Sequence, residues 1–162
     1  MILRNGDISY LDEIANIESI CFPPGQAASK EQFRQRLTVC PQHCILLFDD
    51  SSKLVSFING FATDLPDLTD EMYSSADMHD EEGAWQMIFG LDTLPSYRHK
   101  GHARMLMIEY ISRARAAGRR GVVLTCKKEL INFYKQFGFV SEGISHGSVI
   151  GGVQWYQMRR SF

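Results

Sequence analysis

The sequence predicts an α/β (α+β) fold: one domain over residues 1–162, with a mixed central sheet of about seven strands covered by helices on both faces. Three observations carry this expectation. Two apolar runs of strand length, residues 85–93 and 122–125, are separated by a segment with helical periodicity, the arrangement that joins parallel strands. Strand-like runs near both ends are joined by short turns, as in antiparallel hairpins. At 162 residues the chain is long enough for one core and too short for two.

Taken in order, the elements read β-α-α-β-β-β-α-β-α-β-β. Ile2 and Leu3 suit a short first strand. Ser9 then opens a helix whose apolar face is Leu11, Ile14, Ile17, Ile20 and Cys21, stopped by Pro23-Pro24-Gly25. Ser29 and Gln32 have the spacing of a capping box for a second helix carrying Phe33 and Leu37. Residues 44–48 and 54–61 flank a polar turn and read as a hairpin. An acidic loop follows, with a helical turn or two. Gly90 is unusual inside the central strand and marks a bulge or a close approach to a ligand. From Gly101 a third helix presents Ala103, Leu106, Met107, Tyr110, Ile111 and Ala114 on one face and stops at Gly118. Residues 129–137 read as a fourth helix, and residues 139–144 and 153–159 as the last two strands. Trp85 and Trp155 are expected in core or rim packing.

Composition narrows the function. A net charge of −2 argues against nucleic acid, because phosphate-backbone binding needs a surplus of Lys and Arg. No apolar run reaches the ~20 residues of a membrane span and the first residues lack the pattern of a signal peptide, so a soluble, cytoplasmic protein is expected. The four cysteines, Cys21, Cys40, Cys44 and Cys126, are too few and scattered for a disulfide scaffold and are expected as free thiols. Charge is unevenly spread: residues 64–82 hold eight carboxylates and no Lys or Arg, whereas residues 98–135 hold ten bases against two acids. The acidic segment suits a cation and the basic one an anion.

The chemistry-bearing motif is Arg98-His99-Lys100-Gly101-His102-Ala103-Arg104, between a buried strand and a helix. Backbone N–H groups at a helix start are unpaired and can hold an anion. Gly101 allows close approach, small Ala103 lets the helix sit tight, and Arg98, Lys100 and Arg104 add charge-assisted hydrogen bonds. A solvated basic loop capping a helix is the plain alternative reading of the same residues.

This pattern, Arg/Gln-x-x-Gly-x-Gly/Ala after a buried strand, resembles that of the GNAT superfamily of N-acetyltransferases. About 30 residues on, Asn132-Phe133-Tyr134-Lys135-Gln136-Phe137-Gly138-Phe139 is similar to the family's second signature. Leu37-Thr38-Val39-Cys40-Pro41, the hairpin, and Asp67-Leu68-Thr69-Asp70-Glu71 resemble arylalkylamine (serotonin-type) N-acetyltransferases, so the likeness covers most of the chain from about Glu31. The resemblance implies a GNAT-like single domain that uses acetyl-coenzyme A. Its pyrophosphate would lie on the N–H groups of His99, Lys100, Gly101, His102, Ala103 and Arg104, beside Arg98. Its pantetheine arm would pair with Leu91, Asp92 and Thr93, the acetyl carbonyl would sit near Gly90 and Leu91, and Asn132 and Lys135 would complete the coenzyme site. A parted strand supplies free N–H donors for a developing oxyanion.

Tyr134 matches the family's general acid: a thiolate with the pKa of a free thiol, ~8.5, can take a proton from a phenol of pKa ~10 when transfer is coupled to C–S cleavage. An alkylamine, like lysine at ~10.4, must first lose a proton. Met87 and Phe89 stand where arylalkylamine enzymes have histidines, which leaves His79, Glu81, Glu82, Gln86 through a water, or His146 as bases. Lys127 stands where many relatives have Asn. Cys126 beside Lys127 and Lys128 offers an acyl-enzyme alternative, and Cys40-Pro41-Gln42-His43-Cys44 lacks the second ligand pair of a zinc site, so no metal is expected. Because the acidic segment precedes the central strand, where the fold places the acceptor, the expected partner is a small cationic alkyl or arylalkyl amine, with direct transfer. A peptide or protein acetyltransferase and a non-catalytic coenzyme-binding module are the alternatives, and a homodimer is left open.

Overall fold

The structure is a computed structural model that describes residues 1–162. Its centre is a seven-stranded sheet in the order β1-β2-β3-β4-β5-β7-β6. β1 (Ile2–Asn5), β2 (Cys44–Phe48), β3 (Leu54–Thr63) and β4 (Trp85–Thr93) pair antiparallel in turn. β5 (Gly121–Cys126) runs parallel to β4, and β7 (Tyr156–Ser161) lies antiparallel between β5 and β6 (Val140–Ile144).

The helices cover both faces. α4 (His102–Ala116) crosses between the two parallel strands and packs Leu106, Met107 and Tyr110 on Ile58, Ile88 and Val122, with α5 (Ile131–Lys135) adding Tyr134. On the other face α1 (Leu11–Cys21) and α2 (Lys30–Val39) bury Ile14, Ile17 and Phe33 against Leu46 and Phe57. α3 (Asp70–Ser74) and the turn after it cover the lower part of that face, where Met72 meets Phe61 and Met87. The expected capping box at α2 is formed, with Ser29 Oγ accepting from the Gln32 N–H and Gln32 Oε1 from the Ser29 N–H.

Several details differ from the sequence reading. The start of α1 is set by Asp7, whose carboxylate accepts from the Ser9 N–H and hydroxyl ahead of a 3-10 turn. The buried stripe of α1 is Leu11, Ile14, Ile17 and Glu18, whereas Ile20 is exposed, because a 3.6-residue period rotates position 20 away from the sheet. The last strand begins at Tyr156 rather than residue 153 and runs on to Ser161. Residues 154 and 155 belong to its preceding loop, which is closed by the Trp155 Nε1–H donating to Ile150 O and the Ser145 N–H donating to Trp155 O. The fourth helix is also shorter than residues 129–137, a 3-10 turn followed by α5.

Two irregularities in β4 position the site. β3 and β4 slip register between Asn59↔Gly90 and Gly60↔Ile88, so Phe89 is an extra residue bulged out of the ladder beside Gly90. β4 and β5 pair only as far as Ile88↔Leu124, although β4 continues to Thr93 and β5 to Cys126. Above that point the two parallel strands part. Gly60 is required opposite the bulge, because a Cβ there would lie 1.8 Å from Met87 O and 2.9 Å from the Tyr110 hydroxyl. Gly60→Ala should therefore force the two strands apart and lower stability by roughly 3 kcal/mol, read from the shift in urea unfolding midpoint.

Candidate active site

The gap between β4 and β5 opens into two cavities that share Cys21, Phe22, Leu91 and Leu130 on their walls and so form one cleft. The outer part, of about 500 Å³, is lined by Asp92, Thr93, Arg98, His99, Gly101, His102, Ala103 and Arg104. The inner part, of about 230 Å³, is lined by Phe89, Gly90, Cys126, Lys127 and Tyr134, with Glu18 from α1, Tyr73 from α3 and Trp155 from the loop before β7.

At the outer end the backbone is shaped for an anion. His99 and Gly101 have left-handed φ of 61° and 85°, which turns successive N–H groups toward one side. The first helical bond of α4 runs from the Met105 N–H to Gly101 O, and no side chain caps the helix. None of the N–H groups of residues 99–104 has a protein acceptor. Arg98 Nε donates to Thr93 O at 2.9 Å, which pins this basic side chain to the end of β4. Lys100 lies over the Tyr97 ring at 5.6 Å and is not on the cleft wall. Asn132 and Lys135 are exposed on α5, which instead turns Phe133 and Tyr134 toward the cleft.

At the inner end Tyr134 is buried, and loss of solvent raises its phenol above the ordinary value of 10, so it keeps its proton at neutral pH. Cys126 is pushed up to about 11 by burial, which makes it a thiol and removes the acyl-enzyme alternative. All four cysteines are unpaired, and Cys40 and Cys44 are held at about 12 by burial. Trp155 lies 9% exposed on the wall of the chamber, so its packing and its place at the site coincide.

The acidic segment does not form this chamber: none of its eight carboxylates is on the wall. Asp67 pairs with Arg159, Asp70 accepts from the Ser148 hydroxyl and the Val149 N–H, and Asp64 accepts from the Ala84 N–H. Four of the bases suggested by sequence are likewise elsewhere. Gln86, His79 and Glu81 meet His43 at the opposite end of β4, and Glu82 sits in the exposed turn beside them. His146, the fifth, is also off the chamber wall.

His43, His79 and Glu81 come close enough together to invite comparison with a metal site. His79 Nδ1, however, accepts from the Ala62 N–H, so its Nε2 carries the proton and donates to Glu81 Oε2 at 2.9 Å. That nitrogen has no lone pair for a metal. The trio, with Arg119 holding Glu81 O and Gly83 O, fastens the loop before β4 to the turn before β2.

Sequence reasoning missed Glu18. It is 6% exposed and lines the chamber, its Oε2 accepting from the Ala28 N–H at 2.8 Å. The signal was present: residue 18 is four after Ile14 and seven after Leu11, on the apolar stripe, where an acid is out of place. Its neighbour Asp92 is 1% exposed, and burial, reinforced by the charge of Glu18, raises its pKa well above the ordinary 3.8. Below α1, Arg36 is buried with Nη1 donating to Asn59 Oδ1 at 3.0 Å and Nη2 to Tyr73 O at 2.8 Å.

Where the central parallel strands part above a helix with free N–H groups, the cleft runs from a corner suited to an anion to a largely apolar inner chamber. The family follows from comparison. Residues 11–139 match the family model described as Acetyltransferase (GNAT) family, and the chain belongs to that family. It is 30% identical over 115 residues to serotonin N-acetyltransferase of Mesocricetus auratus, a match that takes in 70% of this chain and 53% of that protein. The chain thus spans about half the length of the curated relative it matches. Among solved structures, the GphF GNAT-like decarboxylase in complex with isobutyryl-CoA superposes with a TM-score of 0.84 at 19% identity, over 99% of both chains. Naa20 of Chaetomium thermophilum, solved with a bisubstrate analogue, gives 0.74 at 17% identity, over 100% of this chain and 87% of that one. The expected fold is therefore present. No helix is long and apolar enough to cross a membrane.

The raised pKa of Asp92 makes stability depend on pH. Because the folded-state value lies above that of the unfolded chain, the folded state binds the proton more tightly. This stability is complete below about 3.8 and is lost as pH rises toward the folded value. Asp92→Asn removes the dependence, so the urea midpoint of the variant should gain on that of the native protein as pH rises above about 4.

Proposed function

We propose that this protein is an acetyl-coenzyme A-dependent N-acetyltransferase that acetylates a small primary amine with an apolar or aromatic body by direct transfer. The observation that carries the reading is the continuity of the cleft from the unpaired N–H groups of α4 to the chamber holding Tyr134. Family membership and the relatives' acyl-coenzyme A ligands support it.

In this reading the pyrophosphate rests on the N–H groups of residues 99–104, with Arg98 and Arg104 beside it. The pantetheine arm lies along Leu91, Asp92 and Thr93 as an added strand, and Phe133 and Leu130 form the facing wall. The thioester carbonyl then points at backbone N–H groups freed where β4 leaves β5. The amine nitrogen attacks the carbonyl carbon, and as the C–S bond breaks the thiolate takes the Tyr134 proton. Because the phenol is the weaker acid, its proton passes to sulfur only as part of C–S cleavage, and the nitrogen's surplus proton then returns to the phenolate.

The chamber supports a compact acceptor over a peptide. Phe22, Tyr73, Phe89 and Trp155 give it aromatic walls. Gly151 rests against Gln26, where a Cβ would come within 2.5 Å of Gln26 Cγ, so the loop before β7 meets the loop after α1 and roofs the space. Its volume of about 230 Å³ is below the ~300–1,000 Å³ usual for ligand pockets.

Two measurements test the reading. Acetyl-coenzyme A at a hundred times its Kd should stabilise the protein by about 2.7 kcal/mol, which denaturant titration detects without any turnover. Against a panel of amines, turnover should favour arylalkylamines over peptides, and Tyr134→Phe should lower kcat about 100-fold while the Kd for coenzyme stays within about threefold. Coenzyme binding with no turnover of any amine would instead indicate a binding module.

A further inference from the structure

Three carboxyl oxygens beside the chamber have no hydrogen-bond partner: Glu18 Oε1 and both oxygens of Asp92. An unmatched buried acceptor costs about 1–3 kcal/mol, so three in one place call for a purpose. Glu18 is held by the Ala28 N–H on Oε2, which leaves Oε1 aimed at the strand. There it meets Gly90. A Cβ on Gly90 would lie 3.2 Å from Asp92 Oδ1, 3.4 Å from Asn59 Nδ2 and 3.6 Å from Glu18 Oε1. The missing side chain leaves a window through the bulge, and both Glu18 and Gly90 are on the chamber wall.

We infer that Glu18 takes the proton from the acceptor amine, and that Asp92 is its positioning partner, sharing a proton with it behind Gly90. The inference rests on the acetyl-transfer reading and supplies its missing base. The ammonium R–NH3⁺ enters with its charge toward Glu18 Oε1 and gives that oxygen one proton. The nitrogen lone pair so released forms the C–N bond, the C–S bond breaks, and sulfur is protonated by Tyr134 as above. Glu18 returns its proton to water after the amide leaves. The sum is R–NH3⁺ plus acetyl-coenzyme A giving the amide, the free thiol and one proton.

The pair is well placed to be tuned. Arg36 on α2 and Cys21 on α1 face it, as do Arg98 beyond the end of β4, Cys44 on β2 and Tyr134 on α5. Burial and the charge of Glu18 keep the proton on Asp92, so Asp92 is a donor and Glu18 the acceptor.

The test is the pH profile of kcat/KM for the native protein, Glu18→Gln and Asp92→Asn, with coenzyme Kd measured alongside. Glu18→Gln should lose about 100-fold in kcat/KM with coenzyme Kd within about threefold. Its residual rate should climb about tenfold per pH unit as free amine accumulates in solution. Asp92→Asn should shift the acidic limb to higher pH, since an amide donates a weaker hydrogen bond to the Glu18 carboxylate than the protonated Asp92 carboxyl does; a purely structural role would leave the limb in place. If Glu18→Gln does not fold, Gly90→Ala, which fills the window, should give the same loss. Retention of more than a third of native kcat/KM by the folded Glu18→Gln protein, or by Gly90→Ala in its stead, or an unmoved limb in Asp92→Asn, overturns the inference. If the native protein acetylates no amine, the functional reading fails instead. The infrared difference between native protein and Asp92→Asn at pH 7 then decides the pair: a protonated-carboxyl band upholds it and its absence removes it.

Discussion

The structure turns on the separation of two parallel strands. β4 and β5 share four register pairs and then diverge, and the candidate cleft lies in and beside the opening. A parting of paired strands leaves backbone groups unsatisfied, which an interior normally forbids. Here the cost is offset below by a fully buried lower half, with Met87, Val122 and Val123 at 0% exposure, and by the bulge that bends β4 away from its neighbour. The opening is thus a consequence of where pairing is strong. It does not require a flexible loop.

From that opening the remaining parts follow by position. The helix that returns the chain from β4 to β5 must start at the upper end of β4, so its free N–H groups face the mouth of the same gap. α5, which follows β5, turns Tyr134 in from the far side, and α1 delivers Glu18 from the opposite face of the sheet. One strand residue without a side chain, Gly90, connects the two faces at the level of the bulge. The chamber therefore has Tyr134 on one face and Glu18 on the other, the two groups to which the proposed transfer gives the acid and base roles, with neither dependent on a mobile segment.

Much of this was legible in the sequence because it is local. The capping box at Ser29, the hairpin, the two apolar central runs and the glycine that allows a left-handed turn at the start of α4 all express themselves within a few residues. Gly90 was legible as an anomaly, though not as a window. What escaped was decided by distance. The acidic segment looked like an electrostatic funnel, yet its carboxylates are spent on Arg159, Ser148 and the His43 cluster, partners up to about ninety residues away. Asn132 and Lys135 sit in the right motif but on the outer face of a helix only five residues long.

The relocation of charge alters what the chamber can select. A broad acidic surface would attract any cation, polyamines and basic peptides included, and would lose its preference as salt screens it. A single carboxylate enclosed by Phe22, Tyr73, Phe89 and Trp155 acts differently: its field is barely screened, and an ammonium reaches it only if the rest of the molecule is apolar enough to displace water from the aromatic walls. Arg36, buried beneath with its guanidinium 4.7 Å from the Phe89 ring, reinforces this by opposing a second positive charge near Glu18. On the proposed function, selectivity for a monoamine with an aromatic body, and against polyamines, thus rests on the same residues to which the proton transfer is assigned.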